Sequence, residues 1–150
     1  MKVCEEFYIN GEWVKPVNDL KTLDVINPAT EEVYGRIALG DKDDVDAAVE
    51  AAYTAFESFG YSSVDERVSL LEKILEIYQG KYDEIAETIS SEMGAPIGLS
   101  KAAQAATGLG HFSTALETLK NYKFEEVKGS ALIRKEPIGV VGMITPWNWP

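Results

Sequence analysis

The sequence predicts an α/β fold from three kinds of pattern that follow one another along the chain. Strand–turn–strand signatures occupy residues 7–14 and 22–38. Helical patterns then run from Asp41 to about Tyr122, and an apolar run lies at residues 140–144. Because that run is apolar on both faces, it is typical of a buried strand in a parallel sheet that is covered on both sides.

Turn residues mark both predicted hairpins. Asn10-Gly11 is the strongest two-residue hairpin signal, since both positions tolerate positive φ. In the second hairpin, strands at residues 23–26 and 32–38 are separated by Pro28-Ala29-Thr30. These residue types favour a turn, so two small hairpins are expected before the first helix.

Four helical segments are predicted from apolar spacing and from capping residues. The first opens at Gly40-Asp41, and the second opens with the capping box Ser63–Glu66. The third ends at Gly94-Ala95-Pro96 and the fourth runs from about Leu99 to Tyr122. The inward faces of the first and fourth are predicted to be Val45, Ala48, Val49, Ala52, Ala55, Phe56 and Phe59, and Ala102, Ala106, Leu109, Phe112, Leu116 and Leu119.

Gly108 and Gly110 interrupt the fourth helical pattern. Each costs about 1 kcal/mol relative to Ala in a helix interior. Close packing against another helix and backbone approach to a ligand are both compatible with such glycines, and close packing is the favoured interpretation.

The composition excludes several classes of partner. With 14 Lys and Arg against 25 Asp and Glu, the net charge is −11, which repels nucleic acid and anionic membranes. No apolar run approaches the ~20 residues of a transmembrane helix. A single cysteine, Cys4, and the absence of a signal-peptide pattern predict a cytoplasmic protein. Cys4 has no histidine or helix N-terminus nearby in sequence to lower its pKa, so it is not expected to be a nucleophile. His111 has no Cys or Asp at ligand spacing, so a metal site is not expected either.

The residues Pro146-Trp147-Asn148-Trp149-Pro150 are similar to the Pro-Trp-Asn-aromatic-Pro block of the aldehyde dehydrogenase superfamily. The resemblance extends along essentially all of the 150 residues, and this block is its most specific part. The family's two opening hairpins and its first helix are similar to residues 8–13, 25–33 and 44–52, and residues 135–140 match the lead into its first core strand.

This resemblance implies NAD- or NADP-dependent oxidation of an aldehyde to a carboxylic acid. In the family a cysteine thiolate attacks the aldehyde, an amide holds the oxyanion, hydride passes to the nicotinamide, and a glutamate-activated water releases the acid. The amide matches Asn148, and the aromatic residue at the substrate tunnel matches Trp149. The family's cofactor lining matches Ile144, Thr145, Pro146 and Trp147. Its cysteine and glutamate lie downstream of the block.

The residues alone leave Asn148 with two interpretations. It is either a polar residue in a Pro-Trp turn, or an amide donor held stiffly between Pro146 and Pro150 at the carboxyl end of a strand. Residues 144–147 are likewise compatible with plain packing, and Trp149 with a core position. The resemblance favours the oxyanion, cofactor and tunnel roles.

The resemblance also divides the chain. Residues 1–123 match the N-terminal part of a Rossmann-like cofactor-binding domain, residues 124–137 an oligomerisation arm, and residues 138–150 the first core strand and oxyanion loop. Homo-oligomerisation is expected through the arm. Two hypotheses follow: a segment of a longer aldehyde dehydrogenase that is inactive by itself, or a non-catalytic module that packs or associates through the arm.

Overall fold

A computed structural model describes residues 1–149. The strands of the first part are β1 (Lys2–Cys4), β2 (Phe7–Ile9), β3 (Glu12–Val14), β4 (Lys21–Asn27) and β5 (Glu32–Leu39). The helices are α1 (Lys42–Phe59), α2 (Val64–Gly80), α3 (Tyr82–Met93), α4 (Ile97–Leu99), a π-helical segment (Ser100–Gln104) and α5 (Ala105–Asn121). β6 (Glu125–Lys128) and β7 (Ala131–Arg134) follow. The architecture is mixed α/β, as predicted.

Both predicted hairpins are confirmed. β2 and β3 pair antiparallel, and their turn has φ of 54° at Asn10 and 81° at Gly11. β4 and β5 pair antiparallel, and the Glu31 N–H donates to the Asn27 carbonyl over 2.8 Å in their turn. β1 was not predicted: it pairs parallel with β5 and completes a three-stranded sheet of order β1-β5-β4.

The predicted helix ends are confirmed by the capping geometry. Asp41 caps α1 in a capping box with Asp44, and Ser63 caps α2 in a capping box with Glu66. Gly94 ends α3 in the left-handed conformation with φ of 74°, which glycine adopts without strain. Local sequence therefore fixes where these helices begin and end.

The core lies where α2, α3, the π-helical segment and α5 meet. Ala86, Ile89, Ala105 and Leu116 are buried there. The Tyr78 hydroxyl donates to the Ala105 carbonyl over 2.9 Å and ties α2 to α5. Burial raises the pKa of the Tyr78 phenol still farther above neutral pH, where a phenol is already a protonated donor.

The predicted inward face of α1 is wrong for this structure. Val45, Val49 and Phe59 are 58%, 49% and 55% exposed. Within residues 1–149, α1 packs mainly against the short strand β2, which is too small to cover the apolar face of an 18-residue helix. Amphipathic spacing therefore predicted the helix but not its burial.

Ala102 was also predicted to face inward and is exposed. It lies in the π-helical segment, where the backbone bonds from residue i to i+5 and each turn takes more residues than in an α-helix. The wider turn rotates positions out of the 3.6-residue spacing on which the prediction rested. Leu116, farther along α5, is buried as predicted.

The structure has no strand at residues 140–144, where a buried strand was predicted. Met143 is 86% exposed and Ile144 is fully exposed at 100%. A strand needs a hydrogen-bonded neighbour, and no strand among residues 1–149 pairs with this run. Whether residues 138–150 act as the first strand of a larger sheet stays a prediction.

The close packing predicted for the glycines of α5 is confirmed at Gly108 alone. A Cβ at Gly108 would lie 2.3 Å from the Tyr78 hydroxyl and 2.8 Å from its Cζ, whereas a Cβ at Gly110 would meet nothing within 4 Å. The missing side chain of Gly108 therefore lets α5 approach α2.

Gly108→Ala is expected to destabilise the chain by ~1–3 kcal/mol, because overpacking forces Tyr78 away from α5. Gly110→Ala is the matched control and should stabilise by up to ~1 kcal/mol, since alanine favours the helix and has room there. Thermal or urea unfolding of both variants measures the difference. Equal effects at the two positions would contradict the packing role of Gly108.

Candidate functional site

The candidate site is the segment Ile144–Trp149 at the end of the described chain. The backbone bends at Trp147 and Asn148, after an irregular run that contains no helix or strand. Ile144 is fully exposed, Trp147 is 86% exposed and Trp149 is 43% exposed. The structure thus presents these side chains to solvent on a segment whose proline fixes φ at about −65°.

Asn148 is the side chain of this segment with amide chemistry. It is exposed, and it offers two N–H donors and one carbonyl acceptor. Residues 137–150 contain no ionisable side chain, so any group held here is held by neutral donors and apolar surface. A neutral N–H donor stabilises an oxyanion without first forming a tight ion pair with the ground state.

The structure brings no other predicted chemical group into this segment. Cys4 is exposed on β1, and His111 is exposed on α5 beside an open groove that Tyr122 and Phe124 also line. Within residues 1–149, no cluster of three or more His, Cys, Asp or Glu side chains could hold a metal ion. No helix in the same part of the chain is both long and apolar enough to cross a membrane.

The two-stranded arm is present where it was predicted. β6 and β7 pair antiparallel from Glu125 opposite Arg134 to Lys128 opposite Ala131. Arg134 Nε and Glu125 Oε1 form an ion pair of 2.8 Å near the base of the arm. Val127 and Leu132, a cross-strand pair, are 71% and 56% exposed. The arm therefore carries an uncovered apolar pair between charged residues.

Sequence reasoning missed a cluster at the base of the arm. Arg67 lies over the Phe124 ring, 4.7 Å from its centroid, and Lys135 Nζ lies 4.3 Å from the centroid of Tyr122. Arg67 and Phe124 are far apart in sequence, so no local pattern links them. Two aromatic residues flanking Lys123, just before the arm, were the available signal.

The profile of the Aldehyde dehydrogenase family matches residues 13–150. The chain belongs to this family. A putative aldehyde dehydrogenase of Staphylococcus aureus is 52% identical over 143 residues, which cover 95% of this chain and 30% of that protein. The chain therefore spans about 30% of the length of the curated relatives it matches.

Solved structures of aldehyde dehydrogenases are similar to the chain along its length. A mutant of aldehyde dehydrogenase C from Pseudomonas syringae, crystallised with NAD⁺ and octanal, is 41% identical with a TM-score of 0.95. The match covers 98% of this chain and 30% of that one. An apo indole-3-acetaldehyde dehydrogenase is 27% identical with a TM-score of 0.91, over all of this chain and 36% of its own. The Rossmann-like aldehyde dehydrogenase fold of the N-terminal region is thereby confirmed.

Proposed function

We propose that this chain forms the N-terminal segment of an NAD(P)-dependent aldehyde dehydrogenase that oxidises an aldehyde to a carboxylic acid through a cysteine thiohemiacetal. The observation that carries the proposal is the match to the P. syringae enzyme, which was solved with NAD⁺ and octanal and resembles 98% of this chain. Because the chain spans about 30% of that enzyme, it contributes part of a catalytic site.

Asn148 is the proposed oxyanion donor. When a thiolate adds to an aldehyde, the carbonyl oxygen gains negative charge, and an N–H aimed at that position lowers the barrier. The exposed amide of Asn148 follows the bend at Trp147, on an uncharged segment that offers the oxygen no competing cation. Its contribution comes where charge develops and little in the ground state.

Ile144, Thr145, Pro146 and Trp147 are the proposed wall for the cofactor. Ile144 and Trp147 present bare apolar surface, and the segment carries no charge, which fits a flat heteroaromatic ring better than it fits phosphate groups. When bound, NAD(P)⁺ accepts the hydride that leaves the substrate carbon. The protein's part at this wall is to orient that ring and exclude water from it.

Trp149 is the proposed wall of the aldehyde tunnel. Trp149 is 43% exposed, against 86% for Trp147, so part of its side chain is covered and the rest is free. A free indole face provides apolar contact for the alkyl or aryl part of an aldehyde. Its bulk, compared with the phenylalanine that is common in the family, narrows the tunnel.

Residues 124–137 are the proposed self-association arm. The exposed pair Val127 and Leu132 lies on a two-stranded ribbon with free edges, which is a surface that pairs readily with another chain. A non-catalytic module that only associates through this arm is the second candidate function, and the same exposed pair favours it.

A chimera distinguishes the two. Residues 1–150 replace the matched 30% of the unmutated P. syringae enzyme, and NADH formation from octanal is followed by absorbance. We expect a folded chimera that oxidises octanal, because a TM-score of 0.95 leaves little backbone mismatch at the junctions.

The control is the same chimera without NAD⁺, with melting curves recorded for both proteins. A chimera that melts cooperatively like the P. syringae enzyme but forms no NADH would support the non-catalytic module. Activity with octanal and NAD⁺ would support the dehydrogenase.

A further inference from the structure

Phe124 is the most buried side chain of the arm. Among residues 121–138, Phe124 alone is half buried and all the others are exposed. A two-stranded ribbon is at best marginally stable alone in water. The direction in which β6 and β7 leave the body therefore depends on what holds Phe124.

Phe124 lies in a stack of two aromatic rings with a cation at each end. The Arg67 guanidinium is 4.7 Å from the centroid of its ring, and the Tyr122 ring meets it edge-on with centroids 4.8 Å apart. Lys135 Nζ lies 4.3 Å from the Tyr122 centroid. The Lys135 N–H donates to the Phe124 carbonyl over 2.8 Å and joins the two ends of the arm.

Arg67 connects this stack to a rigid part of the fold. Its Nε and its backbone N–H both lie 3.2 Å from the Ser63 carbonyl oxygen, to which they donate. Ser63 caps α2 with Glu66, and hydrogen bonds from the Ser63 N–H and hydroxyl lower the pKa of the Glu66 carboxyl. The hydrogen bond from Nε to the Ser63 carbonyl therefore holds the Arg67 guanidinium against the first turn of α2.

Among residues 1–149, no hydrogen bond or ion pair joins residues 124–137 to the rest of the chain. Beside the stack an open cleft of about 710 Å³ separates the base of the arm from the corner between α1 and α2. Gly60 and Tyr61 line the far side of this cleft, and Tyr61 is 89% exposed. An arm freed from Arg67 would have room to swing into the cleft.

We propose that Arg67, Tyr122, Phe124 and Lys135, here named the arm clamp, set the direction of the arm. Arg67 is then a positioning residue for self-association, since a copy that pairs with the arm needs it in one orientation. This second step rests on the self-association proposed above, whereas the first step does not.

The direction of the arm is measured by electron–electron double resonance on the 150-residue chain in a Cys4→Ser background. Spin labels are attached at Ser130→Cys in the tip of the arm and at Gln79→Cys, an exposed position on α2. Labelled chain is diluted with unlabelled chain, so that only distances within one molecule contribute. We expect one narrow distance distribution for the parent.

Arg67→Met keeps a long apolar side chain but removes the cation, and it should abolish the narrow distribution. Arg67→Lys retains a cation and should restore part of it. The matched control is Arg36→Met, which removes an arginine paired with Asp24 on the sheet and should change nothing. Should Arg67→Met fail to fold, Phe124→Leu replaces it, with circular dichroism as the check of folding. A broad parent distribution, or one unchanged in Arg67→Met, overturns the clamp.

Sedimentation of the unlabelled chains separates the clamp from the self-association. We expect Arg67→Met to self-associate about fivefold more weakly than the parent, the effect of one cation–π contact at an exposed site. A parent that stays monomeric at every concentration would refute the proposed self-association, and the distance measurement would still decide the clamp. If the distance measurement shows that Arg67→Met frees the arm, and this variant still associates as strongly as the parent, the positioning role of Arg67 is refuted.

Discussion

Residues 1–150 by themselves are expected to form no NADH from any aldehyde. Hydride leaves an aldehyde carbon readily once a nucleophile has added to it, and this requires a positioned thiolate or similar group. The only cysteine is Cys4, which is exposed on the edge strand β1 and has no hydrogen-bonded base among the described residues. NADH formation by residues 1–150 should therefore be absent, and not merely slow.

The assay follows NADH absorbance with pure chain, NAD⁺ and octanal, and uses the active chimera as the positive control. The Cys4→Ser variant tests the one thiol that is present. Activity in the parent that disappears in Cys4→Ser would show that Cys4 is a nucleophile, and would remove the argument that this segment contributes only the oxyanion donor and part of two walls.

The parts of the fold that the sequence predicted are those that a few neighbouring residues determine. Asn10 and Gly11 adopt the positive φ values that a two-residue turn requires. Ser63 and Glu66 exchange the hydrogen bonds of a capping box, from Ser63 N–H to the Glu66 carboxylate over 2.7 Å and from Glu66 N–H to Ser63 Oγ over 3.2 Å. In each case the physical cause lies within four residues.

The parts that could not be predicted depend on distant residues. β1 has three residues and no readable alternation, and it exists because β5 offers it a parallel edge. The π-helical segment has no sequence pattern of its own. It begins and ends with the buried residues Ser100 and Gln104, and the Ser100 hydroxyl donates to Gln104 Oε1 over 3.1 Å.

At residues 140–144 the error is the reverse: a buried strand was predicted and the structure has none. The composition of this apolar run indicates a buried strand, yet burial is a property of a sheet and not of one strand. Within residues 1–149 it has no partner, and Ile144 is fully exposed. For the candidate site, the roles of Asn148 and its neighbours stay predictions, whereas the arm clamp could not be predicted because Arg67 and Phe124 are distant in sequence and meet only in the fold.

Asn148→Ala in the active chimera is expected to lower kcat by ~10²–10³, or ~2.7–4 kcal/mol, and to leave cofactor affinity nearly unchanged. The amide acts where negative charge develops, so its removal raises the barrier more than it weakens ground-state binding. Stability should change little, because the side chain is exposed and leaves no buried group unpaired. Steady-state kinetics, titration with NADH and melting curves measure the three quantities.

Two further variants separate an oxyanion donor from a turn residue. Asn148→Asp keeps the size and the turn-forming oxygen, so a structural asparagine would tolerate it. A donor would not, because the aspartate has no N–H and places a negative charge against the forming oxyanion, and the loss should at least equal that of Asn148→Ala. Asn121→Ala is the matched control: its exposed amide only donates to the Glu117 carbonyl at the end of α5, over 2.9 Å. If Asn148→Asp keeps the parental kcat, or if the Asn148 variants unfold while Asn121→Ala does not, Asn148 is a structural residue and the proposed oxyanion role is wrong.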